Sequence, residues 1–326
     1  MNRTLAQLLA QRESELRARG IQWRITGIAS RRLGWIADAE GLSRFLSEDG
    51  LLREELVPAS ARQSTNVREW LDAAQADALF EATSLNVENG QPAIDHLRAA
   101  LEHGAHAITA NKGPIVHAYR ELSALAAQRG RRFLFESAVM DGVPIFSLFR
   151  ENLPVIHLQG FRGILNSTTN VMLDGMEAGL SFDAALQKAQ EFGVAETDAT
   201  HDIEGWDAAV KVAALVTVLM GERILLRNIE REGIGELSAE QVRTAREEGR
   251  PYKLVCSARR MASGITARVA PVRLPLSDPL ARVTGTSSIV YFETDIFPGL
   301  CIIEDNPGLY ATAYGMLADF IRAVGK

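Results

Sequence analysis

The sequence contains few of the features that mark secreted, nucleic-acid-binding or membrane proteins. Only two of its 326 residues are cysteines, Cys256 and Cys301, which are too few for a disulfide framework and suit a reducing compartment. The formal net charge of −6 gives no electrostatic footprint for nucleic acid or an anionic membrane. The apolar stretch near residues 210–220 is too short to cross a bilayer. These absences predict a soluble, cytoplasmic protein.

Short apolar strands alternate with amphipathic helices from the amino terminus to about residue 137. Helices are predicted at about residues 3–19, 92–102 and 114–129, and strands at 23–29, 78–83, 105–109 and 133–136. Glu13 and Glu15 lie in the first helix and argue against a targeting peptide. Alternation of this kind is typical of an α/β, doubly wound (Rossmann-type) parallel sheet, which binds ligands at the carboxyl ends of its strands.

The pattern changes beyond residue 150 and predicts a second, α+β domain. Its predicted helices lie at about 168–178, 181–192, 203–221 and 238–249, and its strands at 155–165, 253–256, 265–269 and 289–292. We therefore predict a truncated dinucleotide-binding domain at 1–137 and a substrate-binding and dimerisation domain at 138–307. A carboxyl-terminal helix within 308–326 is expected to return to the first domain.

The sequence also lacks the glycine-rich loop with which dinucleotide-binding domains usually open. That loop, Gly-x-Gly-x-x-Gly, normally follows the first strand, whereas this chain starts on what resembles the next helix. The Gly-x-Gly at Gly233 and Gly235 is in the wrong context, because it follows a charged stretch. Two explanations stay open: the domain has lost its first strand and phosphate loop, or the start codon has been placed too late.

The most informative feature present is a run of acids that leads into one lysine. The run contains Glu196, Asp198, Asp202, Glu204, Asp207 and Lys211, and an almost wholly apolar helix follows it. Asp207 and Lys211 have the spacing of an ordinary solvated helical ion pair. A helix that is apolar on every side is normally buried, so the same residues also suit a buried site in which Lys211 donates a proton and the acids receive a substrate ammonium group.

Two further groups of polar residues each have two interpretations. Asn166, Thr168 and Thr169 suit a helix cap, and we expect this cap also to border the substrate pocket. Arg31 and Arg32 follow the predicted second strand, where NAD-selective domains carry an acid. They suit the 2′-phosphate of NADP, or they form a solvated pair in a loop.

Five ordered motifs resemble homoserine dehydrogenase over nearly the whole chain. They occupy residues 109–113, 136–144, 163–170, 189–196 and 202–211. The resemblance is to the short form, without the regulatory domain of some members. It implies NAD(P)-dependent interconversion of L-homoserine and L-aspartate 4-semialdehyde, as used in threonine and methionine biosynthesis. It also implies a homodimer and, as a second cofactor, a monovalent cation such as sodium.

The resemblance assigns roles to individual residues. It implies that the catalytic residues are Lys211, the proton donor, with Asp207 and Lys112. It implies that the substrate is bound by Glu196, Asp202, Asp207 and Thr169. It implies that the cofactor is contacted by Thr83, Ser84, Lys112, Gly193, Gly308 and Arg31. It implies that the cation is bound by Glu136 and by the carbonyl groups of Val139, Asp141 and Val143.

The chain departs from the family pattern at two turns. Met140 and Asp141 are unusual in the cation motif, and the carboxyl-terminal turn keeps only Gly308 and Thr312 of a glycine-rich stretch. The missing strand and phosphate loop support a second interpretation. In it the chain is a truncated, cofactor-deficient homologue that acts as a binding or subunit-association module.

Overall fold

The computed structural model describes residues 1–42, 45–47, 52–53, 57 and 61–325. The chain divides into two compact units, one formed by residues 1–145 and 308–326 and the other by residues 146–307. The boundary therefore falls after Ile145 rather than after residue 137. Residues 136–142 belong to the first unit because they bond to its last helix: the Ser137 hydroxyl donates to the Thr312 carbonyl at 2.7 Å.

The first unit is built around a three-stranded parallel sheet. Its strands β4 (Ala78–Glu81), β5 (His106–Thr109) and β6 (Phe133–Leu134) lie in that order, with Glu81 opposite Thr109. The helices of this unit are α1 (Asn2–Gln11), α2 (Glu13–Ala18), α3 (Val67–Ala74), α4 (Ala93–His103), α5 (Gly113–Gln128) and α12 (Leu309–Val324). The expected Rossmann-type parallel arrangement is confirmed for these three strands.

The strand predicted at 23–29 is not part of this parallel sheet. The structure instead contains β1 (Gly27–Ser30), which pairs antiparallel with β2 (Gly34–Ala37), and β2 pairs with β3 (Arg62–Ser64). Trp70 of α3 fixes this small sheet, since its indole N–H donates to the Ile36 carbonyl at 2.8 Å. A Cβ atom at Gly27 would lie 2.7 Å from the same indole. The prediction of a second parallel strand was therefore wrong.

One apolar cluster joins the two ends of the sequence within the first unit. Leu5 and Leu9 of α1 and Leu16 of α2 pack with Met316 and Phe320 of α12. The amphipathic spacing of the leucines predicted this buried face. Ile108 of β5 and Leu134 of β6 belong to the same cluster, so the first and last helices cover the parallel sheet together.

The second unit contains a six-stranded sheet in the order β12–β11–β7–β9–β10–β8. The strands are β7 (Leu158–Ile164), β8 (Glu230–Arg231), β9 (Tyr252–Met261), β10 (Gly264–Arg273), β11 (Ser288–Thr294) and β12 (Leu300–Glu304). The helices are α7 (Ser167–Glu177), α8 (Phe182–Glu191), α9 (Thr200–Ile203), α10 (Trp206–Leu219) and α11 (Ala239–Glu247), while α6 (Ile145–Ser147) straddles the boundary. This is the α+β arrangement that the sequence predicted.

Helix α10 is buried along most of its length, as its composition predicted. Residues 208–210 and 212–216 are all buried, so Asp207 and Lys211 are set on an apolar helix. No helix among the residues that the structure describes is both long enough and apolar enough to cross a membrane.

Candidate active site

The amino-terminal end of α7 is capped by a buried asparagine. The Asn166 side-chain oxygen accepts the Thr169 backbone N–H and the Thr169 hydroxyl, each at 2.9 Å. This bonding is the usual way to satisfy the free N–H groups at a helix start. The predicted cap is therefore present, and it leaves the Asn166 amide nitrogen to bond elsewhere.

That amide nitrogen joins two of the predicted acids. Asn166 Nδ2 donates to Asp202 Oδ1 at 2.6 Å and to Asp207 Oδ2 at 3.0 Å. Asp202 lies in the short helix α9 and Asp207 in the first turn of α10, so the capping side chain of α7 bonds to two other helices. Two carboxylates thereby share one donor, an arrangement suited to receiving a cation.

Lys211 completes this group from the second turn of α10. Its Nζ lies 2.7 Å from Asp207 Oδ2 and donates to the Leu165 carbonyl at 2.5 Å. The lysine and aspartate side chains are 18% and 20% exposed. The pair is thus neither a solvated surface bridge nor fully buried. The ammonium group is fixed by two oxygens and keeps some access to solvent.

The electrostatic environment differs between Asp202 and the acids around it. Burial raises the pKa of Asp202, and the nearby Asp207 charge raises it further, while Asn166 and Lys211 act in the opposite direction. An added positive group would favour the ionised form and so act against both causes that raise this pKa. Asp198 lies on the surface, where hydrogen bonds from Thr200 lower its pKa.

The turn that leads into α10 is fixed by contacts that the sequence did not predict. The Arg231 guanidinium stacks over the Trp206 ring at 3.7 Å and donates to the Glu204 carbonyl. The Trp206 indole N–H donates to the Glu204 carboxylate at 2.9 Å. Gly233 is required here because a Cβ would collide with the Ile203 carbonyl. The discarded Gly-x-Gly is therefore structural, and no local pattern in the sequence indicated this contact.

The segment that carries Gly193 and Glu196 is attached to α7. The Thr168 hydroxyl donates to the Val194 carbonyl at 2.7 Å, and Gly193 has the left-handed φ of 74° that glycine tolerates best. Glu196 is exposed, and its backbone carbonyl accepts a bond from Gln190. The hydrogen-bonded group around Asn166 therefore does not include the Glu196 side chain, and its role in binding substrate stays a prediction.

In the first unit, the predicted cofactor residues lie where β4 and β5 end. The buried Asn111 donates from its side chain to the Thr83 carbonyl at 3.1 Å and accepts the Gly113 N–H at 2.9 Å. Thr83 and Ser84 are exposed at the surface of this turn, and Lys112 is the residue before α5. The structure thus places Thr83, Ser84 and Lys112 along the carboxyl edge of the parallel sheet.

The other two predicted cofactor residues lie on exposed turns. Gly308 precedes α12, and a Cβ built there would meet nothing within 4 Å. Arg31 lies in the turn between β1 and β2, outside the parallel sheet on which its assignment depended. The structure therefore does not favour Arg31 as a phosphate ligand, and both assignments stay predictions.

The loop predicted to bind a monovalent cation satisfies its acidic side chains from within the first unit. The buried Glu136 carboxylate pairs with Arg322 at 3.0 Å, and that of Asp141 accepts the Thr312 hydroxyl at 2.7 Å. The Val143 carbonyl accepts the Ile145 N–H. Within the described ranges, no group of three or more His, Cys, Asp or Glu residues could hold a metal ion. These contacts do not favour a cation on the Glu136 side chain, and the site, including the Val139 carbonyl, stays a prediction.

Comparison with known proteins identifies both units. Residues 2–136 match the family model for the homoserine dehydrogenase NAD-binding domain, and residues 144–321 match that for homoserine dehydrogenase. An NAD(+)-dependent homoserine dehydrogenase of Pseudomonas canavaninivorans is 34% identical over 99% of this chain and 93% of its own length. A homoserine dehydrogenase of Methanocaldococcus jannaschii is 33% identical over 88% of this chain and 87% of its own.

A solved structure agrees with these matches. A hyperthermophilic archaeal homoserine dehydrogenase mutant in complex with NADPH superposes with a TM-score of 0.81 and 27% identity, over 98% of this chain and 93% of that one. We call Asn166, Asp202, Asp207 and Lys211 the acid–lysine group. The family matches include this group in the second unit, and Thr83, Ser84 and Lys112 in the first. The chain belongs to the homoserine dehydrogenase family.

Proposed function

We propose that this chain catalyses the NAD(P)-dependent interconversion of L-homoserine and L-aspartate 4-semialdehyde. The observation that carries the proposal is the hydrogen-bonded group of Asn166, Asp202, Asp207 and Lys211 in the second unit. It combines the positioned Lys211 ammonium with two carboxylates. The pKa of one of them, Asp202, is raised, and a further positive charge would favour its ionised form.

In this reaction Lys211 is the acid–base group. When the aldehyde is reduced, negative charge develops on its oxygen, and the Lys211 ammonium both stabilises that charge and delivers the proton. Asp207 and the Leu165 carbonyl fix the position of Nζ. In the oxidative direction the neutral amine would accept the hydroxyl proton of homoserine. The bound nicotinamide cofactor supplies or accepts the hydride.

The acids of the same group suit the α-ammonium group of the substrate. Asp202 and Asp207 are joined through Asn166, so the asparagine sets their separation. A substrate ammonium would pair with these carboxylates, and it would offset the burial and the Asp207 charge that raise the pKa of Asp202. We propose that Thr169 borders this pocket, that Glu196 contributes a further carboxylate, and that Lys112 and Gly193 act next to the cofactor.

The assay that tests this function is reduction of NADP and of NAD by the purified chain with L-homoserine, followed by the absorbance of the reduced nicotinamide. L-Serine, which lacks one methylene group, is the matched control substrate. We expect turnover with L-homoserine alone, with NADP or NAD as the cofactor. Absence of homoserine-dependent reduction with either cofactor would refute the proposed function.

We also propose a cytoplasmic homodimer that associates through the second unit. Support for association comes from large apolar side chains exposed at one edge of its sheet, namely Ile296 and Phe297 in the turn before β12 and Ile303 within it. The two cysteines are both free in the structure, as suits a reducing compartment. Light scattering during gel filtration measures the mass directly, and a monomeric mass would refute the dimer.

A further inference from the structure

Glu81 is a buried acid to which the preceding assignments give no role. It is the last residue of β4 and is only 3% exposed. Its carboxylate accepts the Thr83 backbone N–H at 2.7 Å, the Thr83 hydroxyl at 2.5 Å and the Thr109 hydroxyl at 2.6 Å. Each of these three partners acts as a donor, which is the bonding pattern of an ionised carboxylate.

This negative charge is bonded to neutral groups rather than to a cation. No lysine, arginine or histidine within the described part of the chain forms an ion pair with Glu81. His96 interacts with it electrostatically, but burial lowers the pKa of His96 and so favours the neutral imidazole. A buried charge without an opposite charge is costly. The same hydrogen bonds could largely be made by a neutral side chain, so the charge itself calls for an explanation.

The position of Glu81 places that charge on the ligand-binding edge of the sheet. In parallel α/β sheets, ligands bind outside the carboxyl ends of the strands. Glu81 and Thr109 are the facing last residues of β4 and β5. The Thr109 hydroxyl also accepts the Asn111 N–H at 2.9 Å. Glu81 therefore supports both segments, 83–84 and 111–113, that form this edge.

We propose that the Glu81 carboxylate discriminates between the redox states of the nicotinamide cofactor, favouring the oxidised form. The inference rests on the proposed function, because it requires a nicotinamide cofactor at this edge. The oxidised ring carries a positive charge and the reduced ring is neutral, while the rest of the cofactor is the same. A fixed negative charge in a poorly hydrated site therefore stabilises one form and leaves the other nearly unchanged.

The test is direct binding of NADP and NADPH to the full chain without homoserine, measured by calorimetry, with NAD and NADH in parallel. Glu81→Gln removes the charge and keeps the shape. We expect it to lower the affinity for the oxidised cofactor by about five- to tenfold and to change the affinity for the reduced cofactor by less than about twofold. The measured quantity is the ratio of the two dissociation constants, which does not depend on turnover.

Three further variants separate charge from structure. Thr109→Val removes the bonds of that hydroxyl to Glu81 and to the Asn111 N–H and keeps the carboxylate, so it should weaken binding of both cofactor forms equally. Glu81→Asp keeps the charge on a shorter side chain, so the ratio should stay near that of the unmodified chain even if both affinities fall. Glu88→Gln removes an exposed carboxylate from the following turn and should leave both affinities unchanged.

The outcomes are distinguishable from failure of the proposed function. If Glu81→Gln lowered the affinity for both cofactor forms equally, Glu81 would only position the carboxyl edge of the sheet. If it lowered the affinity for NADPH more than that for NADP, the proposed preference for the oxidised form would be wrong. Failure of the unmodified chain to bind either form would also overturn the inference. A chain that binds cofactor with the expected ratio but does not oxidise homoserine would instead refute the proposed reaction and leave the role of Glu81 intact.

Discussion

Two lysine–aspartate pairs in the second unit have almost the same geometry and very different surroundings. Lys211 lies 2.7 Å from Asp207, and Lys253 lies 2.9 Å from Asp174. The Lys211 side chain is 18% exposed, whereas that of Lys253 is 1% exposed. Distance alone therefore does not separate a candidate catalytic lysine from a structural one.

The difference lies in what each pair does with its remaining bonds. Asn170 accepts from Lys253 Nζ at 2.8 Å and donates to the Gly285 carbonyl at 2.9 Å. Asp174 accepts the Gly285 N–H at 2.6 Å. The Lys253 pair thus fastens helix α7 to the loop before β11. The Lys211 pair instead bonds to Asn166 and keeps access to solvent, so it has capacity for a substrate.

The largest expected effect is on turnover in Lys211→Ala. Loss of the positioned proton donor should lower kcat by about a thousandfold, with a smaller change in KM. Thermal unfolding should shift only modestly because the pair is partly exposed. The exposed Lys188→Ala provides the matched control. Near-normal kcat in Lys211→Ala would remove Lys211 from the mechanism.

The next largest effect should appear as stability rather than activity, in Lys253→Met. Removing the lysine leaves Asp174 and Asn170 without their shared partner, which for a buried pair costs about 3 kcal/mol of unfolding free energy. Urea denaturation measures this loss. We expect the folded fraction to keep kcat within about threefold, since the group lies outside the acid–lysine site. A large loss of kcat at unchanged stability would make the two pairs functionally alike.

Two asparagines, the cap of α7 and a residue in its first turns, allow a finer version of the same comparison. Asn166 bonds to the acids near Lys211, and Asn170 bonds to Lys253. Asn166→Ala should raise KM for homoserine about tenfold and cost about 1 kcal/mol through the lost helix cap. Asn170→Ala should lower stability by more and raise KM by less. Both KM and the free energy of unfolding are measured for both variants. A larger increase in KM in Asn170→Ala than in Asn166→Ala would contradict the assignment of a substrate role to Asn166 and a structural role to Asn170.

The sequence predicted the acid–lysine group better than the structure around it. Helical spacing paired Asp207 with Lys211, and the apolar continuation indicated burial, because both depend on local periodicity. The contacts of Arg231 with Trp206 and of Lys253 with Asp174 join residues distant in sequence, and periodicity carries no information about these. Strand 23–29 was assigned to the wrong sheet because a short apolar strand does not specify its partner.

The smallest expected effect separates two neighbouring acids, Asp202 and Asp198, by the sign of the pH dependence that each gives to stability. Burial, and then the Asp207 charge, raise the pKa of Asp202 above its ordinary 3.8. The folded chain therefore binds this proton more tightly than the unfolded chain, so ionisation costs stability as the pH rises from 3.8 through the raised value. Asp202→Asn should raise the urea midpoint at neutral pH, while weakening homoserine binding, and the gain should vanish in acid.

Asp198→Asn is the matched control with the opposite expectation. Hydrogen bonds from Thr200 lower the pKa of Asp198, so its ionised form favours the folded chain above the ordinary value, and that contribution disappears as the pH falls through the lowered one. Its replacement should therefore slightly lower the urea midpoint at neutral pH and leave homoserine binding unchanged. If both variants shifted the urea midpoint in the same direction, burial and the Asp207 charge would not explain the difference between Asp202 and Asp198. Ionised Asp202 lowers the stability of the folded chain, whereas ionised Asp198 raises it. We expect such a destabilising acid at a site where the ammonium group of a substrate provides the opposite charge.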